Sequence, residues 1–170
     1  KLSEFVVYEK KDRVFVLKGY AGTGKTTLIS ALIKTLKQLK FQTLLLAPTG
    51  RAAKILMSYS GTEAFTIHKK IYRLKSKSSE NESFVLDKNL HSNTYFIVDE
   101  ASMISNSPSE QLIFGTGRLL EDLVNYVDGG NKCKLIFTGD TAQLPPVGTN
   151  LSPALDEKYI HDNLYKDTIT

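Results

Sequence analysis

"GYAGTGKTT", residues 19–27, follows the apolar run Val14–Leu17 and opens a helical pattern that continues to Leu39. Gly19, Gly24, Lys25 and Thr26 occupy every fixed position of the pattern G-x-x-x-x-G-K-[ST]. Glycines let successive backbone N–H groups turn inward around phosphate oxygens, and the helix start adds its partial positive charge. In such a loop the lysine, here Lys25, bridges the β- and γ-phosphates of ATP, and the hydroxyl of Thr26 ligates Mg2+. Gly22, Thr23, Gly24, Lys25, Thr26 and Thr27 are the candidate nucleotide-binding set. A strand before and a helix after are the context the pattern requires, so this stretch predicts a phosphate-binding loop between a strand and a helix.

Outward from that loop, four short runs read as strands: Val14–Leu17, Thr43–Ala47, Tyr95–Val98 and Leu135–Thr138. They are nearly continuous in apolar residues, which marks strands covered on both faces in a parallel sheet. "FVVYE", residues 5–9, is a weaker fifth candidate that can equally close a preceding helix. Helical patterns run from Thr26 to Leu39, Arg51 to Met57, Thr66 to Leu74 and Gly117 to Val127. The first is expected to bury Leu28, Leu32, Ile33 and Leu36, leaving Lys34, Lys37 and Lys40 on a solvated face. The last carries the stripe Leu119, Leu120, Leu123, Val124 and Val127. Strands alternating with helices give an α/β fold, a mostly parallel sheet sandwiched between helices. Residues 75–93, rich in Ser, Asn and Lys, read as a surface loop or a small insertion.

The 170 residues suffice for one domain with a substantial core. The apolar runs are far shorter than a membrane span, so no membrane partner is expected, and no signal-peptide pattern opens the chain. A net charge of +4 permits an anionic partner but does not by itself argue for one. The single cysteine, Cys133, excludes an internal disulfide and reads as a small buried thiol, which fits a reducing, cytoplasmic setting. Lys1 is not an initiator methionine, which suggests a processed chain or a fragment.

"YFIVDEAS", residues 95–102, delivers Asp99 and Glu100 to the end of an apolar strand. Asp99 there can hold Mg2+, and Glu100 can accept a proton from an attacking water. A kinase does not need that glutamate, because its acceptor is a substrate group, so the pair points to hydrolysis. "LIFTGDTAQLPPVG", residues 135–148, brings Gln143 to the same edge. A neutral amide there can contact the γ-phosphate or the water; the plainer reading is a polar turn residue before Pro145 and Pro146.

"GYAGTGKTT", "LLAPTGRAAK", "TIH", "IVDEASMI" and "TGDTAQLPPVG", in this order, resemble the superfamily 1 DNA helicases of the RecD-like branch. The resemblance runs from about residue 13 to 155. It implies a RecA-like motor domain over residues 1–155, with 156–170 beginning a connection to a second RecA-like domain. It further implies ATP hydrolysis with Mg2+ and 5′ to 3′ translocation on single-stranded DNA. By the same resemblance Lys25, Glu100 and Gln143 are catalytic, Thr26 and Asp99 serve the metal, and Gln143 senses the γ-phosphate. Thr49, Arg51 and His68 would touch the DNA backbone. The loop Pro48–Gly50 opening a helix agrees with that role. Arg51 reads equally as a solvated first-turn arginine, and His68 as a helix residue satisfied by a neighbour. The family's glutamine before the first strand has no counterpart, since no glutamine precedes Gln38. The family's second motor domain, with its arginine finger, has no counterpart either. The alternative is a nucleotide-dependent switch or clamp, which shares the loop and Asp99 but can dispense with Glu100 and Gln143.

Overall fold

The computed structural model describes residues 1–7, 13–78, 81–108, 113–143, 145–146, 149 and 151–164. Among the described residues the strands are β1 (Val14–Lys18), β2 (Gln42–Ala47), β3 (Ala64–Thr66), β4 (Tyr72–Ser78), β5 (Asn81–Leu86), β6 (Thr94–Val98) and β7 (Lys134–Gly139), alternating with helices except where β4, β5 and β6 follow one another. The helices are α1 (Leu2–Val7), α2 (Lys25–Gln38), α3 (Gly50–Ser60), α4 (Ile67–Ile71), α5 (Leu119–Asp128) and α6 (Glu157–Leu164). Five strands form one sheet in the order β1-β7-β6-β2-β3, every pairing parallel. The four strands expected from the apolar runs are β1, β2, β6 and β7, adjacent members of this sheet with β1 at one edge.

The continuous apolar runs divide by alternate residues between two cores. Leu44, Leu46, Phe96, Val98, Leu135 and Phe137 face one side, where Leu120, Leu123, Val124 and Val127 of α5 cover them. Leu45, Tyr95, Ile97 and Ile136 face the other, beneath Ile29, Leu32, Ile33 and Leu36 of α2 and Leu56 of α3. Each fully buried Leu, Ile or Phe contributes about 1.5–3 kcal/mol, so these two layers supply most of the driving force. Cys133 is buried within the first core, as the lone thiol predicted.

Several expectations require correction. Of the two readings of "FVVYE", the helix end rather than the strand holds where it is described: residues 5–7 close α1, and residues 8–9 lie outside the described residues. Phe5 and Val6 are buried, while the Tyr95 hydroxyl donates to Val6 O at 3.0 Å and Lys134 Nζ donates to Phe5 O at 2.6 Å. Those bonds satisfy carbonyls at the helix end. The fifth strand is instead β3, three residues too short to announce themselves as an apolar run. In α2 the buried stripe is Ile29, Leu32, Ile33 and Leu36, spaced i, i+3, i+4, i+7, and Leu28 is exposed. The helix expected over Thr66–Leu74 stops at Ile71, and Tyr72 enters β4. Residues 75–93 hold most of an antiparallel hairpin, β4 with β5, rather than only a loop. Cross-strand pairing overrides the local helical periodicity there. At the other end, Ile160 of α6 is buried in the first core together with Ala154 and Leu155.

Candidate functional site

Every singled-out residue follows the carboxyl end of a sheet strand. Because the sheet order is β1-β7-β6-β2-β3, that edge presents them in a spatial series. Gly19–Thr27 follow β1, Asp140 and Gln143 follow β7, and Asp99 and Glu100 follow β6. Thr49 and Arg51 come after β2, and His68 after β3. The chain passes from β1 to β2 across two intervening strands, and such a crevice at the carboxyl edge is where open α/β sheets bind ligands.

At the β1 end, Gly19 N–H donates to Gly139 O at 3.2 Å, which ties the loop to the neighbouring strand. Gly22 and Gly24 adopt φ of 77° and 84°, left-handed conformations open to glycine at little cost. Gly24 is the N-cap of α2, a 14-residue helix whose first turn holds Lys25, Thr26 and Thr27. The Thr23 hydroxyl donates to Tyr20 O at 2.7 Å and closes the loop internally. Lys25 Nζ donates to Tyr20 O at 2.8 Å and also to Gly19 O, so the ammonium lies against the loop. Lys25 is also near enough to Glu100 for its charge to act on that carboxyl.

At the β6 end, Asp99 N–H donates to Leu46 O at 3.0 Å, which carries the parallel ladder one step beyond the strand. Glu100 then turns with φ 54° and ψ 37°. A left-handed glutamate is an uncommon backbone, and such local strain concentrates at functional sites. Burial pushes the Glu100 carboxyl above its ordinary pKa, with Asp99 and Asp140 adding to the effect. A hydrogen bond from Gln143 and the Lys25 charge oppose it. Gln143 is itself held: the Ser102 hydroxyl donates to its Oε1 at 3.0 Å. The loop leading to it is fixed by Asp140, whose Oδ1 accepts from Ala142 N–H at 2.8 Å. The Ser102–Gln143 bond thus links the ends of β6 and β7, with the Glu100 carboxyl beside Gln143.

Among the described residues no group of three or more His, Cys, Asp or Glu side chains could by itself hold a metal ion. Asp99 with the Thr26 hydroxyl is a donor set suited to Mg2+, which keeps several waters and takes one or two carboxylates plus substrate phosphates. Asp99 Oδ2 also accepts from the Tyr59 hydroxyl of α3 at 2.5 Å. Burial, then that bond, pushes the Tyr59 pKa far up, so the hydroxyl stays protonated and donates.

Further along the edge, the Thr49 hydroxyl accepts from Ala52 N–H at 3.1 Å and caps α3, while Arg51 is exposed in the first turn. His68 is half-buried, its ring 5.1 Å from Phe114 and 5.7 Å from Tyr72 between centroids. Burial lowers its pKa. The structure therefore brings Lys25 and Gln143 each near Glu100, with Asp99 beside it. Thr49, Arg51 and His68 lie at the far end of the same edge, beyond β2 and β3. Sequence reasoning missed Ser102 and Tyr59. Ser102 stands within the quoted "VDEAS" stretch, but its role depends on a glutamine 41 residues away. Tyr59 sits 40 residues from Asp99 with no local signal.

A family model described as "AAA domain" matches residues 6–152. The ATP-dependent RecD2 DNA helicase of Deinococcus radiodurans is 32% identical over 139 residues, covering 82% of this chain and 17% of that one. The ATP-dependent DNA helicase dda of enterobacteria phage T4 is 31% identical over 169 residues, covering 96% and 35%. The crystal structure of Pif1 helicase from Candida albicans superposes with a TM-score of 0.51 at 21% identity, covering 94% and 35%, and bears on the fold alone. The chain thus spans about a third or less of the length of these relatives.

Proposed function

We propose that this chain, which belongs to the AAA domain family as a motor domain of the superfamily 1, RecD-like helicase type, hydrolyses ATP with Mg2+ to move 5′ to 3′ along single-stranded DNA. The observation that carries the reading is Gln143, fixed by Ser102, set beside the left-handed Glu100 together with Lys25 and Asp99. A switch that merely holds nucleotide needs the loop and Asp99 but has no use for an oriented base.

In this reading the backbone N–H groups of Gly22–Thr27 and the start of α2 bind the phosphates, and Lys25 leaves the loop carbonyls for the β- and γ-phosphates. Bound Mg2+ would supply charge neutralisation at those phosphates, held by the Thr26 hydroxyl and Asp99. Glu100 takes the proton of a water that attacks the γ-phosphorus, the bond to the β–γ bridging oxygen breaks, and ADP leaves. Gln143 orients that water or the γ-phosphate. With Oε1 occupied by Ser102, its amide N–H groups are the ones turned toward the reacting centre. Single-stranded DNA would lie along the β2–β3 end of the edge, with Arg51 toward its backbone. Thr49 would contribute its hydroxyl hydrogen and His68 a neutral imidazole. A second RecA-like domain would supply the charge that speeds hydrolysis. The chain alone is then expected to bind nucleotide weakly, turn over slowly and not unwind.

The test is ATPase turnover of the full-length protein with and without single-stranded DNA. Glu100→Gln is expected to lower turnover by about 10²–10⁴-fold, the usual contribution of a positioned base, with nucleotide binding retained. Turnover within a few-fold of the wild type would overturn the assignment of Glu100.

A further inference from the structure

Tyr59 closes the last turn of α3, far along the chain from both proposed metal donors, yet it makes a contact toward each. Its hydroxyl donates to Asp99 Oδ2 at 2.5 Å. Its backbone carbonyl accepts from Ser30 Oγ at 3.4 Å, and the same Ser30 hydroxyl lies 3.0 Å from Thr26 O. Ser30 sits one turn after Thr26 on α2, so Tyr59 is tied through it to the helix that carries the threonine. The ring is half-buried against the core beneath α2 and α3, which fixes the direction in which its hydroxyl points.

We propose that Tyr59 is a positioning residue for the magnesium carboxylate, holding Asp99 at a set angle to Thr26. This rests on the nucleotide-site reading above. An ionised carboxylate has about four acceptor directions, and the tyrosine uses one of them on Oδ2. That bond fixes the carboxylate plane and leaves Oδ1 free for the ion or one of its waters. Carboxylates that serve metals are themselves hydrogen-bonded in this way, and removal of the outer partner typically weakens metal binding about 10–100-fold. The opposite relation is also physically definite. If the hydroxyl blocked the oxygen that the ion needs, its removal would tighten metal binding.

The experiment is a titration of the full chain with a fluorescent ADP analogue, at graded magnesium concentrations and again in EDTA. For Tyr59→Phe the magnesium concentration at half-effect is expected to rise about tenfold or more, with affinity in EDTA unchanged. An Asp99→Ala background should abolish that difference, because the hydroxyl then has no carboxylate to hold. An unchanged or lowered magnesium midpoint in Tyr59→Phe overturns the proposal, as does a difference that persists in Asp99→Ala. Loss of affinity in EDTA also overturns it, since the tyrosine would then be supporting the loop as a whole. If the wild-type chain shows no nucleotide binding at all, the nucleotide-site reading fails instead.

Discussion

At the scale of single residues, environment decides which of several chemically able groups does what. Asp99 and Glu100 are neighbours of the same charge, yet the chain turns left-handed at Glu100, and burial lifts the pKa of that second carboxyl. The first carboxylate is held by Tyr59, while Gln143 and Lys25 temper the rise at the second. His68 shows the same principle in a titrating group. Packed against Phe114 and Tyr72, it has a folded pKa below its unfolded value near 6.5. As pH falls through about 6.5, the unfolded chain takes up the proton before the folded one does. Stability is therefore expected to decline with acid, down to the folded pKa. Urea denaturation of His68→Phe at pH 7.5 and 5.5 should show a smaller acid loss than the wild type. His91, also lowered by burial and by Lys70, retains the rest. An identical acid loss in both chains would mean that His68 is not held neutral.

At the scale of elements, the hairpin and α5 are joined by a buried carboxylate. Asp122, on the first turn of α5, accepts from the Tyr72 hydroxyl at 2.6 Å, Thr116 N–H at 3.0 Å and the Thr116 hydroxyl at 2.9 Å. It thus secures the first residue of β4 and the turn before α5 in one network. Removing it leaves the buried Tyr72 hydroxyl without an acceptor and frees the turn at Thr116, so Asp122→Ala is expected to cost about 2–3 kcal/mol. The measurement is the urea midpoint, with the slope unchanged; a shift below about 1 kcal/mol would show that water replaces the carboxylate. Elements also mark where sequence reading stopped. The α2 and α5 patterns were legible because a helix buries its own periodic stripe. The start of β4 was hidden inside an apparent helix because Tyr72 pairs with β5 and finds its hydroxyl partner on α5.

At the scale of the whole molecule, the five-strand order makes a single functional edge out of segments separated by up to the whole sheet. Nucleotide bound at that edge, as proposed, would link the loop after β1 to the loops after β7 and β6 and so couple ligand to fold thermodynamically. MgADP at about a hundred times its dissociation constant is expected to stabilise the chain by about 2.7 kcal/mol. Differential scanning fluorimetry should show the upward shift, and Lys25→Ala should abolish it at the same concentration. A wild-type melting temperature that ignores MgADP would contradict the nucleotide site. By itself the sequence determined the loop at 19–27, the acidic pair at 99–100 and four of the five strands of the parallel sheet. Each is a local pattern whose physics lies within a few consecutive residues: glycine dihedrals, a helix start, an uninterrupted apolar run. Only the tertiary structure decided that β3 completes the sheet, that Ser102 orients Gln143, and that Tyr59 reaches Asp99. Those relations join residues about 20 to 40 positions apart, and a hydrogen bond across such a span leaves no period in the chain.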